Sequence, residues 1–331
     1  MSIRICVYNV EWFDKWFNPD NTLKTDPETR QKAEAWGRIV KAINPDLIGI
    51  VEGPNTTNAG KSSTVCLEVL AADQNIRPAS ATMGFASRGS QELCALFDPA
   101  KLAVTHSPAG RSGAKANPPF DENFFADSDM DGINEYYRHY RPPFEMQLTR
   151  ADGGDPMIII LAHMKSKGIF SNNDYIHWQR ESKRNRRKLF AEANHVRLRA
   201  DELLDDGKNV VVMGDINDGP GMDQHEMMFG RSAVEIVMGS LFQPSRILHA
   251  HSGAPKWGQY GWSPSSARFN DPFTHDPVNV LIDHILASEG IQTTGDGAHI
   301  IWNPYQVEAA KPLKADLRLV SDHFPVTLDI V

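Results

Sequence analysis

The sequence predicts a layered α/β protein, and three observations predict it. Short apolar, β-branched runs recur at residues 3–10, 46–51, 157–162, 209–213 and 325–330, with the length and composition of buried strands. Two long stretches between them repeat their apolar residues at steps of three and four, which is helical spacing. Several of the strand runs also end on acids, amides or imidazoles, residue types that a core rarely takes.

The first strand, Ile3 to Val10, closes on Asn9-Val-Glu-Trp-Phe13. Asp26-Pro27 starts a helix, with an acid to cap it and proline in its first turn. Ala33, Trp36, Val40 and Ile43 continue its apolar face until Asn44-Pro45 stops it. Asp46 to Val51 is a second strand that delivers Glu52 ahead of Gly53-Pro54. Ser63 to Ala72 suits a helix, and Leu93–Phe97 and Leu102–Thr105, joined by Asp98-Pro99, read as a strand pair. Residues 107–135, rich in Pro, Gly and Asp, read as an excursion from the core. Phe144–Leu148 is entered through Arg138-His-Tyr-Arg-Pro-Pro143, and Met157–Ala162 delivers His163 and then Met164-Lys-Ser-Lys167. A long helix fits Trp178 to Leu204, where Leu189, Ala193, Val196, Ala200 and Leu203 share a face. The irregular stretch 244–279 is long enough to read as a functional loop. Val280 to Ala287, carrying Asp283 and His284, is a strand, and Ser321-Asp-His323 precedes the last one.

Composition narrows the function classes. Hydrophobic content of 41% and charged content of 23% are those of an ordinary globular protein. The net charge of -8 excludes a globally basic nucleic-acid binder, so affinity for a polyanion would need a local patch. Cys6, Cys66 and Cys94 are odd in number and widely spaced, which predicts buried thiols and no disulfide framework. No apolar run approaches a membrane span and no leader precedes the first strand, so a cytoplasmic protein without a membrane partner is expected. The oligomeric state has no signature. Residues 1–331, free of repeats and low-complexity linkers, are expected to form one domain.

The stretch Val210-Val-Val-Met-Gly-Asp-Ile-Asn-Asp218 carries the sharpest chemical signal. On extended backbone Asp215 and Asn217 would point the same way, a carboxylate and a carboxamide suited to a metal or a phosphate. An Asx turn, with both side chains bonding their own backbone, is the alternative. Other segments carry the same kinds of group: Asn9, Glu52, His163, Asp283, and Asp322 with His323. Strand ends that gather such groups on one rim would make a site that no single segment explains. Strand alternation sends His284 away from that rim, as a structural histidine.

The chain resembles the endonuclease/exonuclease/phosphatase, or DNase I-like, family of metal-dependent phosphoesterases. The likeness runs in order through Tyr8-Asn-Val-Glu11, Pro45-Asp-Leu-Ile-Gly-Ile-Val-Glu52, His163-Met-Lys-Ser-Lys167, Gly214-Asp-Ile-Asn-Asp218, Ile282-Asp-His-Ile-Leu-Ala-Ser288 and Ser321-Asp-His-Phe-Pro325. It implies a four-layer αββα sandwich, two packed mixed β-sheets flanked by helices, with the site where strand-end loops meet. It implies that Glu52 binds Mg²⁺ or Mn²⁺, with Asn9 and Asp322 as direct or water-mediated ligands. It also implies catalytic roles: Asp283 orients His323, Asp215 directs or deprotonates the attacking water, Asn217 meets the phosphate, and His163 is a second imidazole. Whether Asp215 or His323 takes the proton is left open.

The same resemblance leads to a hydrolase, a phosphodiesterase most readily read as an endonuclease or exonuclease acting on nucleic acid. The alternatives are a phosphatase or phosphodiesterase for small or lipid phosphoesters, and a catalytically dead binding member. Segments 138–143 and 163–167 resemble a bacterial nuclease branch, which would set Arg141, Lys165 and Lys167 on phosphates. The basic run Lys183-Arg-Asn-Arg-Arg-Lys188 offers Arg184, Arg186 and Arg187 to a polyanion, or is simply a solvated helix face. Residues 127–135 alternate acids before Gly132 like half of a Ca²⁺ loop, but Arg138 stands where the closing glutamate belongs, so a plain acidic turn is expected.

Overall fold

The computed structural model describes residues 2–57, 60–129, 131–169, 174–219, 227, 230–250, 264–270, 274–295 and 298–331. The chain begins with β1 (Ile3–Asn9), α1 (Pro27–Ile43), β2 (Leu47–Gly53), α2 (Ser63–Gln74), β3 (Ser80–Met83), β4 (Glu92–Phe97) and β5 (Leu102–His106). It continues with β6 (Asn123–Ala126), β7 (Glu135–Arg138), β8 (Phe144–Arg150), β9 (Met157–His163), α3 (Tyr175–Asp205), β10 (Asn209–Asp215) and α4 (Ala233–Met238). It ends with β11 (Leu248–Ala250), β12 (Ala267–Asn270), β13 (Pro277–Val280), β14 (Asp283–Ser288), β15 (His299–Ile301), α5 (Lys314–Val320) and β16 (Val326–Ile330).

Two six-stranded mixed sheets form the centre, in the orders β15-β16-β1-β2-β4-β3 and β11-β14-β10-β9-β8-β5. The innermost pairs, β1 with β2 and β9 with β10, run parallel, and their neighbours run antiparallel. Strand alternation then builds three apolar layers. Ile3, Ile5 and Val7 of β1 join Ile159 and Leu161 of β9 and Val211 and Met213 of β10 in the layer between the sheets. Cys6 and Tyr8 turn outward under α1, α2 and α5, while Ile158, Ile160, Val210 and Val212 turn outward under α3 and α4. Covering on both faces is why these strands read as unbroken apolar runs. The result is the expected αββα sandwich.

Helix termini follow the sequence signals. Asp26 accepts from the Thr29 amide at the start of α1, and Asn44, in left-handed backbone, ends it. All three cysteines are free and buried. No helix among the described residues is long and apolar enough to cross a membrane.

Two expected strands are corrected. Leu93–Phe97 and Leu102–Thr105 do not pair with each other, because the turn at Asp98 carries the chain from one sheet to the other: β4 lies beside β2 and β3, and β5 beside β8. The run 280–287 is not one strand, because the amides of Ile282 and Asp283 donate to Ser266 Oγ where a ladder partner would be. Its first part pairs with β12 and its second with β10 and β11. The excursion at 107–135 contributes a hairpin, β6 with β7. Much of the stretch 244–279 lies outside the described residues.

Candidate active site

The alternation that fills the middle layer also aims the site. Asn9 follows Ile5 and Val7, His163 follows Ile159 and Leu161, and Asp215 follows Val211 and Met213, so each emerges from the inner face of its sheet. Asp283 shares a face with Ile285 and Ala287. Register locks the set together, since Asp215 stands directly opposite both His163 and Asp283 in the ladders. Gly214 lets β10 come this close to β9: its φ is 144°, and a Cβ there would lie 1.9 Å from the Ala162 carbonyl oxygen.

At the centre is a buried line of charge. His323 Nδ1 lies 2.8 Å from Asp283 Oδ2, and Ser266 Oγ donates to that same oxygen at 2.8 Å. The other imidazole nitrogen, Nε2, faces Asp215 Oδ2 at 4.0 Å, and His163 Nε2 faces that oxygen at 3.6 Å. Asn9 Nδ2 donates to it at 3.1 Å. Asp215, Asp283 and His323 offer ligand atoms within 4.8 Å of one another. Asp283, however, already holds the Nδ1 side of His323, which makes an acid–imidazole relay of this trio.

Burial and charge set the protonation states. Burial works to lower the pKa of His323, but Asp283, Asp215 and Asp322 outweigh it and raise the value to about 10. Burial lifts Asp215 to about 7, with His323 opposing the rise and Asp283 adding to it. His163 is held well below the usual imidazole range by burial, with Arg141 and His323 adding to the effect.

Glu52 reaches the site by a different route. Ile48 and Ile50 face the outer helices, so plain alternation would send Glu52 there too. A register irregularity between Ile50 and Gly53 and a left-handed backbone at Glu52, φ 59°, re-aim it. Its Oε2 accepts from the Trp12 amide, itself on left-handed backbone. The Glu11 carboxyl is raised by burial, with the charges of Asp322 and Glu52 adding to the effect. Asn9 Oδ1 is buried with no hydrogen-bond partner. An oxygen-only set with an unpartnered amide oxygen and acids on neighbouring loops fits a hard divalent cation.

Asn217 corrects the extended-backbone expectation. It sits at φ 56°, and its amide donates to Asp215 Oδ1 in an Asx turn, so the two side chains diverge. Its Nδ2 donates to the Met164 carbonyl at 3.0 Å, which ties the β10 turn to the segment after β9. His284 accordingly faces away, with Nε2 2.9 Å from the Asp218 carbonyl.

The basic residues divide. Arg141 is drawn toward the site, bonding Gln91 Oε1 at 2.5 Å and the Met164 carbonyl at 3.3 Å. Lys165 is partly buried beside it, its pKa lowered by burial and by Lys188 and Arg141. Lys167 is engaged by Asp218 at 2.7 Å. On α3, Arg184 pairs with Glu181 and Arg187 with Asp129, while Arg186 is buried and bonds Ser182. Within the run 183–188, Arg184 and Arg187 thus stay exposed with acid partners, and Arg186 turns inward. At 127–135 the carboxylates of Asp127, Asp129 and Asp131 offer ligand atoms within 4.8 Å of one another, while Asp129 also pairs with Arg187 and Asp127 and Asp131 accept from backbone amides.

Neither Ser266 nor Ser321 is assigned a role from sequence, although Ser321 stands in the Ser321-Asp-His323 segment. Ser266 lies in the irregular stretch, and Ser321 accepts from the His323 amide and donates to the Asn9 carbonyl.

No protein-family model and no curated protein matches this sequence. Solved structures similar to it include endonuclease/exonuclease/phosphatase family proteins. A truncated TDP2 from Caenorhabditis elegans has a TM-score of 0.49 at 11% identity, covering 100% of this chain and 98% of that one. A Bacteroides vulgatus endonuclease/exonuclease/phosphatase has 0.49 at 12%, covering 100% and 99%. One from Beutenbergia cavernae has 0.45 at 14%, covering 99% and 71%. Likeness at this level carries no argument about activity, which rests on the site itself.

Proposed function

We propose that the protein is a divalent-metal-dependent phosphodiesterase that hydrolyses nucleic acid, DNA or RNA. The observation that carries this reading is the buried relay Asp283–His323 facing Asp215, beside an oxygen-only set on the same rim. Glu52, Asn9 and Asp322 would hold Mg²⁺ or Mn²⁺, which when bound polarises a phosphoryl oxygen and offsets its growing charge. Asp215, with a carboxyl group near neutrality, suits the base that takes a proton from water attacking phosphorus. His323, held as an imidazolium by Asp283, suits a donor to the phosphoryl oxygen rather than a base. His163, kept neutral, is a second donor in reach of the same point, and Arg141 and Lys165 extend the positive side. Asn217 supports the Asp215 turn through the Met164 carbonyl. The leaving oxygen departs in line, opposite the water.

The test is hydrolysis of plasmid, single-stranded DNA, RNA and p-nitrophenyl phosphate esters with and without EDTA. Asp215→Asn and His323→Ala should each lower turnover by about 10²–10⁴ with the fold intact by circular dichroism. Turnover that resists EDTA, or a fully active His323→Ala protein, would sink the assignment.

A further inference from the structure

Beside the relay lies an open cleft of about 700 Å³ whose wall includes Glu11, Trp12, Ser321 and Asp322, so it runs directly into the proposed metal set. This volume suits a ligand of a few ring systems. The rest of the lining mixes charge with aromatic rings: the acids Asp26 and Glu28, the latter paired with Lys32, and Lys15, Lys24, Arg268 and Arg318 with Trp12 and Phe269.

Two features set the cleft apart from ordinary surface. The first is charge. The chain carries a net charge of -8, yet none of these four cations has a carboxylate ion-pair partner among the described residues. Lys15 lies over the Trp12 ring at 4.5 Å, and Lys24 donates to a backbone carbonyl. Arg268 bonds Asn279 and sits over Tyr305, and Arg318 is exposed on α5. On α3, by contrast, Arg184 and Arg187 each have an acid partner, Glu181 and Asp129.

The second is Trp12. It is 46% exposed and stands on left-handed backbone, φ 54°, a conformation costly for a bulky residue. Its amide is tied to Glu52, which places the residue at the edge of the proposed metal set with nearly half of it open to solvent. An exposed indole beside cations without ion-pair partners is what an unpaired base and its flanking phosphates need, since bases stack on aromatic faces while cations follow the backbone. A duplex keeps its base faces inside its own stack and offers none to Trp12.

We infer that this cleft binds a single-stranded stretch of nucleic acid running away from the scissile phosphate, with a base on Trp12 and neighbouring phosphates on Lys15, Arg268 and Arg318. The inference deepens the phosphodiesterase reading and rests on it for the position of the scissile phosphate. Binding itself needs no turnover.

The experiment is fluorescence anisotropy of a short labelled oligo(dT) with the full chain in EDTA, across a salt series. Lys15→Glu/Arg318→Glu should weaken binding at least tenfold and flatten the log–log salt slope by about 1.4, since each single-strand phosphate contact contributes about 0.7. Trp12→Ala should weaken it roughly 5- to 100-fold, the effect of losing one stacked base, while Trp12→Phe keeps most of the affinity. An abasic oligonucleotide of equal length should bind the native protein more weakly than oligo(dT). Arg184→Glu/Arg187→Glu on α3 should leave the affinity within about twofold. Equal losses from the α3 and cleft reversals, native affinity in both Arg318→Glu and Trp12→Ala, or equal binding of the abasic strand would each overturn the inference. Because EDTA silences hydrolysis, these outcomes are independent of whether His323→Ala cleaves a diester, so failure of one reading is distinguishable from failure of the other.

Discussion

Replacing Asp283 by Asn keeps the size of the group and a hydrogen-bond acceptor for His323, but removes the buried charge 2.8 Å from Nδ1. In the native protein that charge outweighs burial and carries His323 from 6.5 to about 10. A proton held more tightly in the folded state stabilises it fully below pH about 6.5, and that stabilisation is lost as pH rises through about 10. The whole shift would be worth on the order of 4–5 kcal/mol. Asp215 and Asp322 supply part of it, and Asp283 is itself relieved of a buried charge, so the substitution should cost about 2–3 kcal/mol, the range of a hydrogen bond between charged groups. The assay is urea unfolding of both proteins in EDTA at pH 6 and pH 9.5, analysed with a common slope. The stability gap should be widest at pH 6 and shrink to under about 1 kcal/mol toward pH 10. Turnover of the variant should fall, and the alkaline limb of its pH profile should move to lower pH, because the imidazolium is held less tightly. A gap that is the same at both pH values, or that grows with pH, would refute the charged relay.

Three further outcomes are expected. Calorimetry should detect Mn²⁺ binding to the native protein that Glu52→Ala abolishes and Asp322→Ala weakens by tenfold or more, because each removes a negatively charged oxygen ligand; unchanged heats in both variants would place the cation elsewhere. The buried His139–His195 pair, whose nitrogens lie 3.0 Å apart, should destabilise the protein in acid. Burial lowers His195 to about 4, so its contribution is intact above pH 6.5 and falls by ~1.4 kcal/mol at pH 5.5, readable as a drop in urea midpoint that His195→Phe reduces. Finally, Ca²⁺ should give no heat at 127–135, because Arg187 already occupies Asp129; a calcium signal lost in Asp129→Ala but kept in Glu52→Ala would contradict this.

What was legible in the sequence is what alternation controls. Strands buried on both faces announce themselves as apolar runs, and the residue closing each run on the inner face had to be Asn9, His163, Asp215 or Asp283. His284 was separable from Asp283 for the same reason. What alternation does not control was not legible. Asn217 leaves the extended path at φ 56°, so two-residue spacing misjudged its direction. Side chains that replace backbone partners also leave no pattern: Ser266 breaks the 280–287 run by accepting two amides, and a serine in an irregular stretch carries no mark of it. The strand pairing across Asp98-Pro99 failed because a short turn between two apolar runs fits a change of sheet as well as a hairpin. Charge runs mislead similarly, since composition cannot show that Arg186 turns inward or that Asp129 reaches Arg187.

The two ways residues reach the rim imply different tolerances. Asn9, His163, Asp215 and Asp283 are aimed by register, so their positions are as secure as the ladders of β1, β9, β10 and β14, whose neighbours in the middle layer are nearly all fully buried. Glu52 and Trp12 are aimed against their backbone preferences, at φ 59° and 54°, and are held by one amide–carboxylate bond between them. Strain of this kind costs on the order of 1–3 kcal/mol per residue and persists only where the surroundings over-determine it. Here Asp14, in the turn after Trp12, does so by accepting from the Asn55 amide and from the buried Lys61, which ties the loop after β1 to the loop after β2. The relay is thus built into the sheets, whereas the proposed metal ligand and the proposed base platform share one strained, cross-braced junction. A change at Asp14 or Lys61 should therefore disturb cation and strand binding together while leaving the Asp283–His323 pair in place.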